Sequence, residues 1–182
     1  MTLQETSARH ELILGGIKSG KSQFGASLAE ASGLEVVFIA TGTAGDEEMR
    51  QRIERHRAER PAHWLSVEEP LHLARELSRL ASDDRCLLVD CLTLWLTNLL
   101  LDDDDTTLLK EVDALLDLLP ILPGKIIMIS NETSMGVVPA TPLSRRFCDE
   151  AGLLHQQIAR LCDRVILVTA GLPLILKGEI SQ

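Results

Sequence analysis

The sequence predicts an α/β protein in which helices flank a mostly parallel β-sheet. Short apolar runs of four to seven residues alternate along the chain with longer segments of helical periodicity, which is the pattern of a sheet covered by helices. The runs are apolar almost throughout, as strands buried on both faces are. The connections between them are long enough for the crossover helices that parallel strands require.

Five strands and six helices follow from these patterns. The predicted strands cover residues 11–14, 35–41, 86–90, 125–131 and 164–169. The predicted helices cover residues 21–31, 47–58, 70–81, 92–101, 107–119 and 142–162. Gly33 supplies a C-terminal glycine for the first helix, and Thr141 with Pro142 supplies an N-cap and a first-turn proline for the last. The aspartates at 102–105 predict a solvated loop.

Composition and charge limit the number of domains, the partners and the compartment that we expect for this protein. The 182 residues are 45% hydrophobic and correspond to one domain over 1–182, of which residues 1–10 are expected to form a loose N-terminal extension. Lys and Arg number 18 against 27 Asp and Glu, and the net charge of −9 argues against nucleic acid as a partner. The uncharged runs are shorter than the ~18 residues of a membrane span. The four cysteines form no CxxC pair, which favours a reduced, cytoplasmic protein.

The strongest functional motif is a phosphate-binding loop. Residues 15–22 read GGIKSGKS and fit G-x-x-x-x-G-K-[ST] between the first predicted strand and the first predicted helix. The glycines let backbone N–H groups wrap a phosphate, and the helix N-terminus adds partial positive charge. Lys21 is expected to reach the β- and γ-phosphates, and Ser22 to bind Mg²⁺. The predicted phosphate-binding residues are Gly15, Gly16, Ile17, Lys18, Ser19, Gly20, Lys21 and Ser22.

Two later strands end on polar residues. Asp90 closes the apolar run at 86–89, so its carboxylate is expected at the carboxyl edge of the sheet, where such sheets bind ligands. There it either holds Mg²⁺ together with Ser22 or caps the following turn. Asn131 and Glu132 end the next predicted strand in the same way.

The residues after these strands disfavour a Ras-type guanine-nucleotide switch. Such a switch carries D-x-x-G after its Mg²⁺ strand and N-K-x-D after a later strand, whereas this sequence reads DCLT at 90–93 and NETS at 131–134. A metabolite kinase or transferase is therefore favoured, and a nucleotide-binding module without catalysis is the alternative from another class.

A charged segment at 46–64, DEEMRQRIERHRAERPAHW, predicts a solvated helix that carries a histidine. Met49, Ile53 and His56 share one face of this helix by their spacing. A histidine in that pattern is either a packed or surface residue, or a nucleophile, since neutral imidazole is available near neutral pH. The arginines nearby are candidate phosphate ligands, and they are Arg52, Arg57 and Arg60.

Five segments, taken in order, resemble one family. They are GGIKSGKS, IATGT, DEEMRQRIERHRAERPAHW, LLVDCLTLWLTNLL and SNETSMGVVP. Over residues 11–178 the chain resembles the bifunctional adenosylcobinamide kinase/adenosylcobinamide-phosphate guanylyltransferase of cobalamin biosynthesis. The histidine segment and the M-G-V-V-P block are far more specific to that family than the phosphate loop is.

The resemblance implies two reactions at one nucleotide-binding region. A kinase step, with ATP or GTP as donor, phosphorylates the aminopropanol hydroxyl of adenosylcobinamide. A guanylyltransferase step then transfers GMP from GTP to adenosylcobinamide phosphate. The family's histidine carries GMP as a phosphoramidate between these substrates, and that position is His56 here. The main alternative is another small P-loop kinase acting on a different metabolite, for which His56 would be incidental.

Fold, site residues and assembly also follow from the resemblance. It implies a RecA-like P-loop NTPase domain, with Lys21 and His56 as catalytic residues and Mg²⁺ bound by Ser22 and Asp90. It also implies a homotrimer, for which the Leu-rich helix at 93–101 lies either at the subunit interface or in the chain's own core. The nucleotide-binding residues implied beyond the phosphate loop are Thr41, Gly42, Thr43, Arg57, Ala58, Glu59, Arg60, Glu68 and Asp90.

Overall fold

Seven strands form one continuous sheet in the computed structural model, which describes residues 8–45, 47–58, 60–102, 104 and 106–179. Along the chain they are β1 (His10–Gly15), β2 (Glu35–Ala40), β3 (Leu65–Glu68), β4 (Arg85–Asp90), β5 (Lys125–Asn131), β6 (Arg164–Thr169) and β7 (Leu172–Lys177). Across the sheet the order is β3-β2-β4-β5-β1-β6-β7. All neighbours are parallel except β7, which pairs antiparallel with β6. The predicted mostly parallel sheet is confirmed.

Six α-helices connect the strands within the described residues. They are α1 (Lys21–Ala31), α2 (Glu47–Ala58), α3 (Leu73–Leu80), α4 (Leu92–Leu100), α5 (Thr107–Leu118) and α6 (Pro142–Leu161). The two helix ends for which the sequence predicts a specific capping residue are confirmed. Gly33 follows α1 with φ of +69°, a conformation that glycine adopts without strain. At the start of α6, the Thr141 hydroxyl accepts a hydrogen bond from the Ser144 N–H at 3.2 Å, and Pro142 occupies the first turn.

The sequence did not predict β3 and β7, which lie at the two edges of the sheet. β3 has four residues, LSVE, most of them exposed, so it lacks the apolar run that marks a buried strand. β7 reads LPLILK and follows directly on the turn at Ala170 and Gly171, so its residues continue the uncharged run of β6. β3 was therefore missed because an edge strand needs no apolar face on both sides, whereas β7 was missed because its apolar residues could not be separated from the run of β6.

One helix boundary and one terminal prediction also differ from the structure. α3 begins at Leu73 rather than at residue 70, because the Glu69 carboxylate accepts hydrogen bonds from the N–H groups of Leu71 at 3.0 Å and His72 at 2.7 Å and so holds this segment in a turn. Of the predicted extension over 1–10, residues 1–7 lie outside the described residues, and His10 already belongs to β1. The other predicted elements agree with the structure within one residue at each end.

The helices cover the two faces of the sheet unequally. α1 packs on one face against β1, β4, β5 and β6, over a core that includes Ile13, Leu88 and Ile127. The helices α3 to α6 contribute to a larger core on the other face, which includes Leu12 and Ile126. Because side chains alternate along a strand, successive residues of β1 and β5 feed the two cores in turn.

The Leu-rich segment at 93–101 packs mainly inside the chain. Leu92, Trp95, Leu96 and Leu99 of α4 are buried in the larger core, whereas Leu101 beyond the helix end is exposed. For these buried residues the structure agrees with the core alternative rather than with a subunit interface.

A buried ion cluster connects the amino ends of three neighbouring strands, β5, β1 and β6. Glu11 of β1 is fully buried, and its carboxylate pairs with Lys125 Nζ of β5 at 2.5 Å and with Arg164 Nη2 of β6 at 2.7 Å. A buried charge of this kind is tolerated because it is paired on both sides. The cluster fixes these strands at the end opposite the carboxyl edge.

Several smaller predictions concern loops, thiols and membrane spans. In the loop predicted at 102–105, Asp104 is exposed and its carboxylate accepts a hydrogen bond from the Thr106 N–H at 2.9 Å. Residues 103 and 105 lie outside the described residues.

None of the helices in the described part of the chain has the length and apolar character to cross a bilayer. The cysteines are all free thiols, namely Cys86, Cys91, Cys148 and Cys162.

Candidate functional site

A pocket opens at the carboxyl edge of the sheet, where four neighbouring parallel strands end. Ala40 of β2 pairs in register with Asp90 of β4, and Gly15 of β1 pairs with Asn131 of β5, so the four strand ends lie side by side. Open α/β sheets bind ligands at this edge. The residues that line this main pocket are Lys21, Ser22, Phe38, Ala40, Gly42, Ile53, Arg60, Glu68, Asp90, Cys91, Leu94 and Asn131.

The loop between β1 and α1 adopts backbone angles and packing that its glycines allow. Gly20, at the N-cap of α1, has φ of +95°, and Lys18 has φ of +55°. Gly15 has no room for a side chain, since an added Cβ would lie 2.5 Å from Ser19 Oγ and 2.6 Å from the Val168 carbonyl oxygen. The loop therefore curls tightly over the end of β1, as the motif predicts.

Neighbouring strand ends hold this loop in place. The Gly171 N–H, in the turn between β6 and β7, donates to the Ser19 carbonyl oxygen at 2.8 Å. The Glu132 N–H, directly after β5, donates to the Gly15 carbonyl oxygen at 3.0 Å. The conformation of the loop is thus tied to the sheet on two sides.

Replacing Gly15 by alanine is expected to lower the free energy of unfolding by about 1–3 kcal/mol, because the new methyl group would overlap the backbone of β6. Urea unfolding followed by circular dichroism measures this change. Gly16→Ala is the matched control for stability, since an added Cβ there meets no atom within 4 Å and should change it by less than about 0.5 kcal/mol. Equal stability of the Gly15 variant and the wild type would contradict the tight packing of the loop.

Two of the predicted phosphate-loop residues line the main pocket. Lys21 is buried and its Nζ donates a hydrogen bond to the Gly16 carbonyl oxygen at 3.2 Å, so the ammonium group lies over the loop. Ser22 follows it in the first turn of α1. Ile17 and Lys18 are exposed at the tip of the loop, and Ser19 is buried beneath it. The main-chain donors of the loop and the Lys21 cation therefore converge at the start of α1.

The residues predicted to hold Mg²⁺ lie on the wall of the same pocket. Ser22 offers a hydroxyl oxygen from α1, and Asp90 offers a carboxylate from the end of β4. Mg²⁺ prefers oxygen ligands and is bound in nucleotide sites by one or two protein groups together with substrate phosphates and water. The donor set of these two residues fits that cation.

Asn131 is held at the pocket wall by a threonine that sequence reasoning did not single out. Thr93 Oγ1, in the first turn of α4, accepts hydrogen bonds from the Asn131 main-chain N–H at 2.9 Å and from its Nδ2 at 3.1 Å. The same hydroxyl donates to Cys91 Sγ at 3.3 Å. This network links the ends of β4 and β5 and fixes the orientation of the Asn131 side chain.

The predicted nucleotide segment at 41–43 reaches the main pocket through Gly42. Thr41 is fully buried, and its hydroxyl donates to the Cys91 carbonyl oxygen at 2.7 Å and accepts from the Cys91 N–H at 3.0 Å. Thr43 is exposed, and its hydroxyl donates to Asn98 Oδ1 at 3.2 Å. Asn98 also donates to the Thr41 carbonyl oxygen at 2.7 Å. The two threonines thus shape the wall around Gly42.

The predicted histidine helix, α2, lies beside the main pocket. Ile53, three residues before His56, lines the pocket, and its Cδ1 lies 3.8 Å from where a Cβ at Gly42 would be. Arg57 forms an ion pair with Glu68, the last residue of β3, which also lines the pocket. Ala58 ends the helix and is exposed. The side chains of Glu48, Met49, Arg52 and His56, and the whole of Glu59, lie outside the described residues.

Arg60 follows α2 and stacks on an aromatic ring at the pocket wall. Its guanidinium carbon lies 3.8 Å from the centroid of the Phe38 ring. Burial and the neighbouring Arg57 lower the pKa of Arg60, whereas Asp90 and Glu68 raise it. An arginine stays charged in proteins nonetheless. Within the described residues its buried Nε has no hydrogen-bond partner, while the residue as a whole lines the pocket and brings a cation to its wall.

Two other side chains with reactive groups, Cys91 and His155, are buried near the site. Burial and the adjacent Asp90 charge raise the pKa of the Cys91 thiol, which keeps it protonated and weakly nucleophilic. His155 is buried, its Nε2 lies 2.7 Å from Ser130 Oγ, and burial lowers the pKa of its imidazole. His155 therefore serves the packing of the core, whereas Cys91 lines the main pocket as a protonated thiol.

Sequence reasoning missed the apolar part of the pocket wall. Phe38 and Ala40 line it, and their spacing of two along β2, which continues to the predicted residue Gly42, was the available signal, because alternate residues of a strand share a face. Leu94 of α4 gave no such signal, since the sequence does not distinguish it from the buried leucines around it.

Solved structures with this architecture include a protein from Pyrococcus horikoshii OT3, with a TM-score of 0.53 and 10% identity over 94% of this chain and 87% of that chain. The P4 protein of bacteriophage phi6, solved with ADP, has a TM-score of 0.50 and 15% identity over 99% of this chain and 62% of that chain. Together with the loop at the carboxyl edge, this fold defines a P-loop NTPase-like protein.

The family model for cobinamide kinase / cobinamide phosphate guanyltransferase matches residues 11–176. The chain belongs to that family.

Curated relatives extend this likeness over nearly the whole chain. The bifunctional adenosylcobalamin biosynthesis protein CobP of Pseudomonas aeruginosa is 61% identical over 169 residues, which cover 93% of this chain and 98% of that protein. The bifunctional adenosylcobalamin biosynthesis protein CobU of Escherichia coli K12 is 35% identical over 179 residues, covering 91% of this chain and 98% of that protein. The family resemblance stated from the sequence motifs is confirmed.

Proposed function

We propose that the protein phosphorylates adenosylcobinamide and then transfers GMP from GTP to adenosylcobinamide phosphate, with GMP carried on His56. Both activities are those of the family to which the chain belongs. One observation carries the proposal: Lys21 and Ser22 of the phosphate loop and Ile53 of the helix that carries His56 line the same pocket. A nucleotide held by the loop would therefore lie beside that helix.

The kinase step needs a bound donor nucleotide and an acceptor hydroxyl. Lys21 binds the β- and γ-phosphates and stabilises the negative charge that develops as the phosphoryl group transfers. The hydroxyl oxygen of adenosylcobinamide forms a bond with the γ-phosphorus, the bond to the nucleoside diphosphate breaks, and the hydroxyl proton is released to solvent. ATP and GTP both suit this step, because the loop binds phosphates rather than a base.

The guanylyltransferase step uses the histidine as a nucleophile. An imidazole nitrogen of His56 forms a bond with the α-phosphorus of GTP while the bond to pyrophosphate breaks. A phosphate oxygen of adenosylcobinamide phosphate then attacks the same phosphorus, the bond to His56 breaks, and adenosylcobinamide-GDP leaves. The covalent intermediate replaces one displacement between two anions by two easier steps.

The nucleotide contacts are proposed on both sides of the main pocket. Mg²⁺ bound by Ser22 and Asp90 would supply positive charge to the phosphates of the bound nucleotide. Arg60 adds a cation to the wall of this pocket, and Glu68, which is paired with Arg57, adds a carboxylate. The complete proposed set is Gly15, Gly16, Ile17, Lys18, Ser19, Gly20, Lys21, Ser22, Thr41, Gly42, Thr43, Arg57, Ala58, Glu59, Arg60, Glu68 and Asp90.

Labelling with radioactive GTP tests the proposal. The protein incubated with Mg²⁺ and GTP labelled at the α-phosphate is expected to retain acid-labile, alkali-stable label, and adenosylcobinamide phosphate should remove it as adenosylcobinamide-GDP. GTP labelled at the γ-phosphate is the matched control, because that label leaves with pyrophosphate. Folded protein that phosphorylates another metabolite but takes up no α-label would instead support the alternative of a different small-metabolite kinase.

We also propose that the protein acts as a homotrimer in the cytoplasm. Leu172, Leu174 and Leu176 alternate along the edge strand β7 and are all exposed, and such an apolar row suits a subunit contact. The free thiols of the four cysteines suit a reducing compartment.

A further inference from the structure

A second pocket lies beside the main pocket, between α1 and the segment that follows α2. Gln23 and Ala26 of α1 line one side of this side pocket, and Pro61 and Trp64 line the other. Its volume of about 460 Å³ lies in the range of small-molecule sites. Nothing in the kinase and transferase steps described above uses these residues.

The walls of the side pocket are built by specific contacts. The Trp64 indole N–H donates to Glu30 Oε2 of α1 at 2.8 Å, and His63 Nε2 lies 3.3 Å from the other oxygen of the same carboxylate. The Trp64 ring stacks on Phe38 with centroids 6.5 Å apart. The Trp64 main-chain N–H also donates to the Pro61 carbonyl oxygen at 3.1 Å. Residues 61–64 are thereby anchored to both α1 and the sheet, so the pocket is preformed.

The two pockets meet at the residues proposed to hold the nucleotide phosphates. Ser22, Phe38, Arg60 and Asp90 line both of them. Gly42, Ile53 and Leu94 give the main pocket an apolar wall that the side pocket does not share, and we place the nucleoside against it. A molecule in the side pocket would therefore meet a bound nucleotide at its phosphates, as an acceptor must for transfer.

We propose that the side pocket binds the aminopropanol arm of the acceptor, first as the free hydroxyl and then as its phosphate; this rests on the function proposed above. The Gln23 amide both donates and accepts hydrogen bonds, which suits the polar atoms of such an arm. Ala26, Pro61 and Trp64 provide apolar surface for its carbon atoms. The phosphate formed in the kinase step would remain beside Arg60, which lines the side pocket and whose guanidinium group suits a phosphate.

Blocking the side pocket tests this assignment. Ala26→Leu adds bulk to its wall and is expected to raise the KM for adenosylcobinamide in the kinase reaction on the order of tenfold or more, since a misfitting pocket costs roughly that factor per added group. The KM for GTP and the α-label taken up from GTP without acceptor should stay as in the wild type. Ser27→Leu makes the matched change at the next, exposed position of α1, which does not line the pocket, and should alter neither KM.

Two outcomes of these assays would contradict the assignment of the side pocket to the acceptor. An unchanged KM for adenosylcobinamide in folded Ala26→Leu protein overturns it, and a rise confined to the KM for GTP assigns the side pocket to the nucleotide instead. If Ala26→Leu does not fold, Gln23→Phe blocks the pocket from an exposed position and takes its place in the same assays. Loss of α-label from wild-type protein is a separate result, which contradicts the proposed function rather than the location of the acceptor.

Discussion

Replacing His56 by asparagine is expected to abolish the acid-labile label from α-labelled GTP and to reduce adenosylcobinamide-GDP formation by roughly 1000-fold or more, because an amide cannot serve as the nucleophile. Phosphorylation of adenosylcobinamide should continue, since the γ-phosphoryl transfer does not use this side chain. The variant should fold, as α2 is an exposed helix and histidine and asparagine have similar helix propensities. Labelling and product formation are measured on the same preparation.

His72→Asn is the matched control for this substitution. His72 is partly exposed, its Nδ1 lies 2.8 Å from a Glu111 carboxylate oxygen, and it lines neither pocket. The control should therefore take up label as the wild type does. Retention of acid-labile label in the His56 variant would assign the covalent bond to another residue and contradict the proposed nucleophile.

Replacing Lys21 by alanine is expected to lower kcat of the kinase reaction by about 100- to 1000-fold, because it removes a cation from the phosphates where charge develops. The guanylyl transfer should fall as well, since both reactions use the same phosphate loop. The loss of the hydrogen bond to the Gly16 carbonyl should reduce stability by only about 1 kcal/mol. Steady-state kinetics with adenosylcobinamide, together with urea unfolding, separates these two effects.

Lys110→Ala serves as the control for a lost lysine. Lys110 is exposed in α5 and its Nζ lies 3.7 Å from an Asp104 carboxylate oxygen, an ion pair of little energetic value. Turnover of this variant should match that of the wild type. Phosphorylation of adenosylcobinamide at an unchanged rate by the Lys21 variant would exclude the role given to the phosphate loop.

The buried strands could be predicted from the sequence because each must be apolar on both faces. The predicted bounds of the strand at 125–131 and of the strand at 164–169 coincide with β5 and β6. β3 was missed because it lies at an edge of the sheet, where most of its side chains meet solvent and no continuous apolar run is needed. β7, at the other edge, was missed because its apolar residues continue the run of β6. The start of α6 was predictable because the N-cap residue Thr141 marks it in the sequence. The start of α3 was not, because the Glu69 side chain accepts hydrogen bonds from the following N–H groups and holds them in a turn before the helix begins.

The polar half of the candidate site was also predictable, since residues at the ends of parallel strands meet at one edge. Lys21, Ser22 and Asp90 do line one pocket. The contacts between distant elements were not predictable, because they depend on how helices lie on the sheet rather than on local pattern. The support of Asn131 by Thr93 and the stacking of Arg60 on Phe38 are of this kind. The hydrogen bond that the Trp64 indole N–H donates to the Glu30 carboxylate, at the wall of the side pocket, is another contact of this kind.

The hydrogen bonds from Gly171 and Glu132 order the phosphate loop at the time the sheet forms. Fixing the backbone of a residue loses conformational entropy equivalent to about 1–2 kcal/mol at 25 °C. For this loop that loss occurs during folding, so an arriving nucleotide does not have to order the loop itself. Nucleotide affinity should therefore depend on the hairpin of β6 and β7, although the phosphate loop lies far from it in the sequence. The turn of this hairpin removes conformational freedom from the loop through the Gly171 hydrogen bond.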